Sequence, residues 1–150
     1  MSIKNQIIVF FAGALAVSVG ACRAEDAACF NQASQRYSIP VQILKAISRT
    51  ESGGNPSAFH RNENGSFDIG HMQINSNWLP TLAKTGITQQ QLLNPCTNTF
   101  VAAWILAGNI RRMGYDWKAI GAYNARSPDK AAAYSRKIAA NMHNEKLKVE

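Results

Sequence analysis

Thr50-Glu51-Ser52-Gly53-Gly54-Asn55-Pro56, followed by Asn62-Glu63-Asn64-Gly65-Ser66-Phe67-Asp68-Ile69-Gly70, is where the pattern of the chain changes. Upstream, Val41–Thr50 has helical spacing, with Ile43, Leu44, Ala46 and Ile47 on one face. Pro40 sits where a first helical turn tolerates it, and Gly53-Gly54-Asn55-Pro56 stops the helix. Downstream, Asn64-Gly65 is a strong hairpin turn signal, flanked by the short stretches Ala58–Asn62 and Phe67–Ile74. A helix running into a hairpin puts a small β element after the second helix.

The rest reads as helix. Ala27–Tyr37 is a short amphipathic start. Ser76–Lys84 forms a helix that ends at Gly86, and Thr88-Gln89-Gln90-Gln91 is a capping box for a short one. Thr97–Met113 is long and apolar, with Phe100, Val101, Trp104, Ile105 and Ala107. Asp116 caps Trp117–Asn124, and Ser127-Pro128 opens a last helix through Ala131–Met142. The fold class is therefore mainly α (α+β). The 150 residues hold one core and not two, so we expect one domain over 25–143 and a polar tail over 144–150. With 46% hydrophobic and 17% charged residues, the chain is globular rather than disordered.

Residues 1–24 read as an export signal instead of fold. Lys4 precedes an apolar run, Ile7–Val19, and small residues lead to Ala24. The run is shorter than the roughly 20 apolar residues a membrane span needs. Val19-Gly20-Ala21-Cys22 also resembles a lipoprotein box, but Arg23 favours simple cleavage after Ala24 over lipidation of Cys22. Either route removes Cys22 from pairing. Cys29 and Cys96 remain in a chain sent to an oxidising compartment, so we expect a disulfide between them. Cleavage removes Lys4 and Arg23 from a net charge of +7 and leaves the chain basic. A basic surface suits an anionic polymer, and export excludes nucleic acid in favour of the envelope.

The chemistry must come from few groups. No His-Glu-x-x-His, clustered Cys/His set, phosphate-cradling Gly-rich loop or Gly-x-Ser-x-Gly elbow is present, so no metal or cofactor is expected. Of nine acids, Glu25 and Asp26 lie at the mature N-terminus, and Glu145 and Glu150 lie in the tail. Asp116 and Asp129 sit at helix starts, where the dipole favours them. Glu63 belongs to a solvated turn. Glu51 stands at i+4 from Ile47 and i+8 from Ile43, on the buried face at the helix end. Burial would raise its pKa and keep a proton available to a general acid, although a helix-end Glu can also turn to solvent. Asp68 follows the hairpin turn, where it either hydrogen-bonds the turn or faces Glu51 across a groove. Two carboxylates flanking a bond is the glycosidase arrangement.

Three ordered motifs carry a resemblance. Glu51-Ser52-Gly53 with Asn55-Pro56, then Gly70-His71-Met72-Gln73-Ile74-Asn75, then Ala122-Tyr123-Asn124-Ala125 resemble the motifs of the soluble lytic transglycosylases over most of residues 28–142. Cys29 and Pro95-Cys96 are similar to cysteines of the small members attached to secretion, conjugation and pilus systems. With the export signal, the resemblance implies a lysozyme-like domain in the periplasm that cleaves peptidoglycan glycan strands for an envelope-spanning apparatus; a monomer is the default expectation. It implies Glu51 as catalytic acid and Ser52, Gln73, Asn75, Tyr123 and Asn124 as substrate-binding residues, with Tyr123 orienting Glu51 or the sugar. Asn64–Asn75 is also similar to the hairpin of animal-type lysozymes, whose Asp is a second catalytic carboxylate, the place Asp68 takes here. A lysozyme-type hydrolase and a non-catalytic glycan-binding subunit are the alternatives. Two positions depart from the family. His71 replaces an apolar residue, which we read as a packed or surface histidine ahead of a substrate contact. Arg126 replaces a glycine, as a loop charge or as a contact to muropeptide carboxylates.

Overall fold

The structure, a computed structural model, describes residues 19–146, with side chains described from 27 to 143. The segment 1–18 of the expected export signal and the last residues of the expected tail lie outside the described residues. Helix α1 (Val19–Tyr37) is followed by α2 (Val41–Ser52), whose apolar face buries Ile43, Leu44, Ala46 and Ile47 as its spacing predicts. Gly53 takes the left-handed capping position and donates to the Arg49 carbonyl, which ends α2 just after Glu51. Strands β1 (Phe59–Arg61), β2 (Phe67–Ile69) and β3 (Ile74–Asn75) form an antiparallel sheet in that order. Helices α3 (Leu79–Ala83), α4 (Pro95–Met113), α5 (Trp117–Gly121) and α6 (Pro128–Lys146) follow.

Helix α4 is the centre of the core. It buries Val101, Ala102, Ala103, Ile105, Leu106 and Ala107, and packs on α1, α2, α5 and β3. These side chains join Leu44, Ile47, Ile69, Met72, Ile74 and Ile138 in one apolar cluster. Each large one contributes about 1.5–3 kcal/mol by burial. The Cys29–Cys96 disulfide is present and ties α1 to the start of α4. It closes 67 residues of chain, a constraint worth about 4 kcal/mol against the unfolded state.

Several elements differ from expectation. The hairpin has a third strand because the chain turns back within 70–73, with φ 74° at Gly70 and 50° at Gln73. The helix expected over Ser76–Lys84 is split into a 3-10 turn (Ser76–Trp78) and α3. Pro80 has no N–H to return to the Ser76 carbonyl, so an α-helix cannot run through it; Leu79 N–H bonds Ser76 instead. The Thr88 capping box forms reciprocally, since Gln91 N–H donates to Thr88 Oγ1 and Thr88 N–H donates to Gln91 Oε1. Asp116 precedes α5 but makes no side-chain cap, and α5 ends at Gly121 instead of continuing to Asn124.

A polar clamp holds the sheet on the helices. Asn98, fully buried in α4, accepts from Met72 N–H at 2.8 Å and donates to the Ile69 and Leu92 carbonyls at 2.9 Å. Gly70 lies so close that a Cβ there would stand 2.5 Å from Asn98 Nδ2. Asn98→Ala strands three buried backbone groups and should cost at least about 3 kcal/mol. Gly70→Ala should cost clearly more than Gly86→Ala, which has a similar φ but open space for its Cβ and should lose only about 1–2 kcal/mol. Urea midpoints of the disulfide-intact proteins check both.

Candidate active site

A groove of about 1660 Å³ runs between the β-sheet and the side built by α4 and the loop after α5. Glu51 reaches it from the end of α2, and Asp68 reaches it from β2, so the structure brings the two carboxylates of the sequence reading into one cleft. Gln73, Asn75, Tyr123 and Asn124 also line it. Ser52 does not line it: its hydroxyl donates to the His71 carbonyl at 2.9 Å.

Glu51 is half-buried, and its surroundings oppose one another. Desolvation raises its pKa above the ordinary value of 4.5, and the charge of Asp68 adds to the rise. A hydrogen bond from Tyr134 and the charge of Lys137 pull it down by less. Tyr134 Oη donates to Glu51 Oε1 at 2.5 Å. Tyr134 comes from α6, which is stitched to α2 by Asn141 Nδ2 donating to Thr50 Oγ1 at 2.8 Å. Burial raises the Tyr134 and Tyr123 hydroxyls well above the usual phenol value, so both stay neutral donors.

Tyr123 does not hydrogen-bond Glu51. Its hydroxyl donates to the Met72 carbonyl at 2.8 Å, and its ring stacks on Tyr134 with centroids 6.4 Å apart. The close approach of α5 and α6 that permits this stack depends on Gly121, where a Cβ would strike the Ala131 carbonyl. Sequence reasoning missed Tyr134. Its signal was available: a tyrosine at i−4 from the buried Ile138 shares the buried face of α6, and a buried phenol needs a partner.

Asp68 is held from both sides. Asn75 Nδ2 donates to Oδ1 at 2.7 Å and Asn62 Nδ2 donates to Oδ2 at 3.0 Å. Asn75 therefore positions Asp68 as well as facing the groove, and its Oδ1 also accepts from Asn77 N–H. Gln73 keeps its left-handed backbone with its side chain donating to the Gly70 carbonyl at 2.8 Å. His71 is a packed residue outside the groove. Its Nε2 lies 3.1 Å from the Pro95 carbonyl and its Nδ1 lies 2.7 Å from Ser48 Oγ. A carbonyl only accepts, so Nε2 carries the proton and Nδ1 accepts from Ser48. Arg126 stands on the groove wall. Among the described residues, no group of three or more His, Cys, Asp or Glu could hold a metal ion.

A carboxyl that holds its proton beside a second carboxylate in one cleft is able to donate that proton to a bond laid between them. Residues 28–145 match the family model described as the transglycosylase SLT domain. The chain belongs to that family. As a member it is a peptidoglycan lytic transglycosylase. Among its relatives is the invasion protein IagB of Salmonella typhimurium (strain SL1344), 41% identical over 118 residues that cover 75% of this chain and 74% of that protein. Protein IpgF of Shigella flexneri is 38% identical over 122 residues, covering 81% of this chain and 80% of its own. A peptidoglycan-binding-like protein of Escherichia coli O157:H7 is 34% identical over 125 residues, covering 75% of each chain.

With Glu51 as general acid, the opposing influences on it predict a signed pH dependence. A general acid works while protonated, so activity should fall as pH rises through the raised Glu51 pKa. Tyr134→Phe removes a bond that favours the charged form, and the falling limb of kcat/KM should move to higher pH. Asp68→Asn removes a repelling charge, and the same limb should move to lower pH. Opposite movements of one limb in the two pH–rate profiles check the assignment.

Proposed function

We propose that this enzyme cleaves the β-1,4 bond between N-acetylmuramic acid and N-acetylglucosamine with Glu51 as general acid and then base. The observation that carries the reading is a half-buried Glu51 at the groove, its pKa raised by burial and its carboxyl oriented by Tyr134. Glu51 gives its proton to the glycosidic oxygen as the C1–O bond breaks, and positive charge develops on the muramic ring. The ionised Glu51 then takes the proton of the muramic C6 hydroxyl, whose oxygen bonds C1 and closes a 1,6-anhydro ring without water. Asp68, held by Asn62 and Asn75, stabilises the developing cation. Gln73, Asn75, Tyr123 and Asn124 line the path of the strand and bind its acetamido and hydroxyl groups. Ser52 acts at one remove, by holding the His71 backbone.

Export by residues 1–24 would bring the enzyme to the periplasm, where it acts as a monomer. Among the described residues, no helix is long and apolar enough to cross a membrane. A relative named as an invasion protein supports a role in opening the wall locally for an envelope-spanning secretion, conjugation or pilus apparatus. A second reading, hydrolysis in the manner of lysozyme, is favoured by one observation: Asp68 fixed in the groove by two amides. Mass spectrometry of the released muropeptides separates them. Products with 1,6-anhydro ends support the transglycosylase, and reducing ends from water attack would contradict it. Glu51→Gln should lower the rate about 10²–10⁴-fold. Asp68→Asn should lower it about 10²–10³-fold.

A further inference from the structure

The two walls of the groove differ in charge. Its carboxylates, Glu51, Glu63 and Asp68, all come from α2 and the β-sheet side, where Arg61 is the one cation in the lining among the described residues. The opposite wall, built by Ile105, Asn109, Arg112 and residues 122–126, carries Arg112 and Arg126 and no carboxylate. Neither arginine forms an ion pair among the described residues.

Arg112 is also held in place. Asn109 is buried, and its Nδ2 donates to the Ala119 carbonyl at 3.3 Å. That bond fixes which way the amide points, and its Oδ1 accepts from Arg112 Nη2 at 2.5 Å. The guanidinium lies back over the preceding turn, where a Cβ at Gly108 would stand 3.8 Å from Nη1. A buried amide spent on orienting an exposed arginine preorganises a cation at the groove, and a guanidinium takes carboxylates in a bidentate pair.

The glycan itself offers hydroxyls and acetamides, which are neutral. The carboxylates of the intact wall polymer are on its stem peptides. We propose that Arg112 and Arg126 bind stem-peptide carboxylates, so that the enzyme selects glycan carrying anionic stems. This inference rests on the reading of the groove as the glycan-cleaving site.

The test uses uncross-linked glycan strands with their stem amines acetylated. One half keeps its carboxylates, and the other half is converted to methylamides with carbodiimide and excess methylamine. The enzyme should cleave the carboxylate strands with the higher kcat/KM, the difference lying in KM. Each arginine should supply about a two- to fivefold preference, equal to about 0.4–1 kcal/mol and within the range of exposed pairs. The preference should shrink in Arg126→Ala, which changes a loop residue alone, and fall to within twofold in Arg112→Ala/Arg126→Ala. It should also weaken with added salt. Cleavage of both strands at equal kcat/KM by the wild type would overturn the inference and leave the catalytic reading standing. A preference that survives in the double variant would overturn it too. Failure to cleave either strand would remove the catalytic reading beneath it.

Discussion

One buried amide holds the sheet side of the groove on the helices. Asn98 of α4 takes the Met72 N–H and gives to the Ile69 and Leu92 carbonyls, all inside the core. The turn it grips, Gly70–Gln73, is gripped twice more. Ser52 from the end of α2 holds the His71 carbonyl, and Tyr123 from the loop after α5 holds the Met72 carbonyl. Three elements distant in sequence thus converge on the backbone of Ile69, His71 and Met72. Strand β2 enters that turn directly, so its side chain Asp68 inherits the position. The second motif of the family reads here as an anchoring device, with only Gln73 and Asn75 turned to the groove.

The clamp matters because the two carboxylates come from different scaffolds. Glu51 belongs to a helix and Asp68 to a short sheet, and a short sheet has little stability of its own. Without fixed backbone between them, their electrostatic coupling would vary with every movement of the hairpin. With it, Glu51 is placed between opposing influences, burial and Asp68 raising its pKa and the Tyr134 hydroxyl and Lys137 lowering it, with burial the largest. Such a balance lets a carboxyl hold its proton and still release it when a glycosidic oxygen competes for it. The tyrosine pair adds rigidity, since Tyr123 and Tyr134 stack while each spends its hydroxyl on a different half of the site.

Much of this was legible in the sequence, and the reason differs by residue. Periodicity put Glu51 on the buried face of α2, with a turn to solvent left open until the family motifs were read, and Asn64-Gly65 announced a turn just before Asp68. The helices α2, α4 and α6 followed from spacing and from Pro and Gly at their ends. The Cys29–Cys96 pair followed from counting. What escaped was set by tertiary contact. The third strand needs a left-handed Gln73, which no propensity suggests. Tyr134 looked like one more helix residue until α6 lay across α2. Asn98 looked like a polar residue on a long apolar helix, yet its place among Val101, Ala102 and Ile105 marked it as buried and therefore bonded. Nothing in the sequence announced that the hydroxyls of Ser52 and Tyr123 hold the His71 and Met72 carbonyls, or that Tyr123 does so while still lining the groove.

The central claim is that the fold keeps a proton on Glu51 at a pH where an ordinary carboxyl would lose it. A carbon-detected NMR titration of the glutamate carboxyls, with the Glu51 signal assigned by its loss in Glu51→Gln, measures this directly. The account predicts a Glu51 midpoint above 4.5, higher than those of the exposed glutamates. A midpoint at or below 4.5 would contradict it.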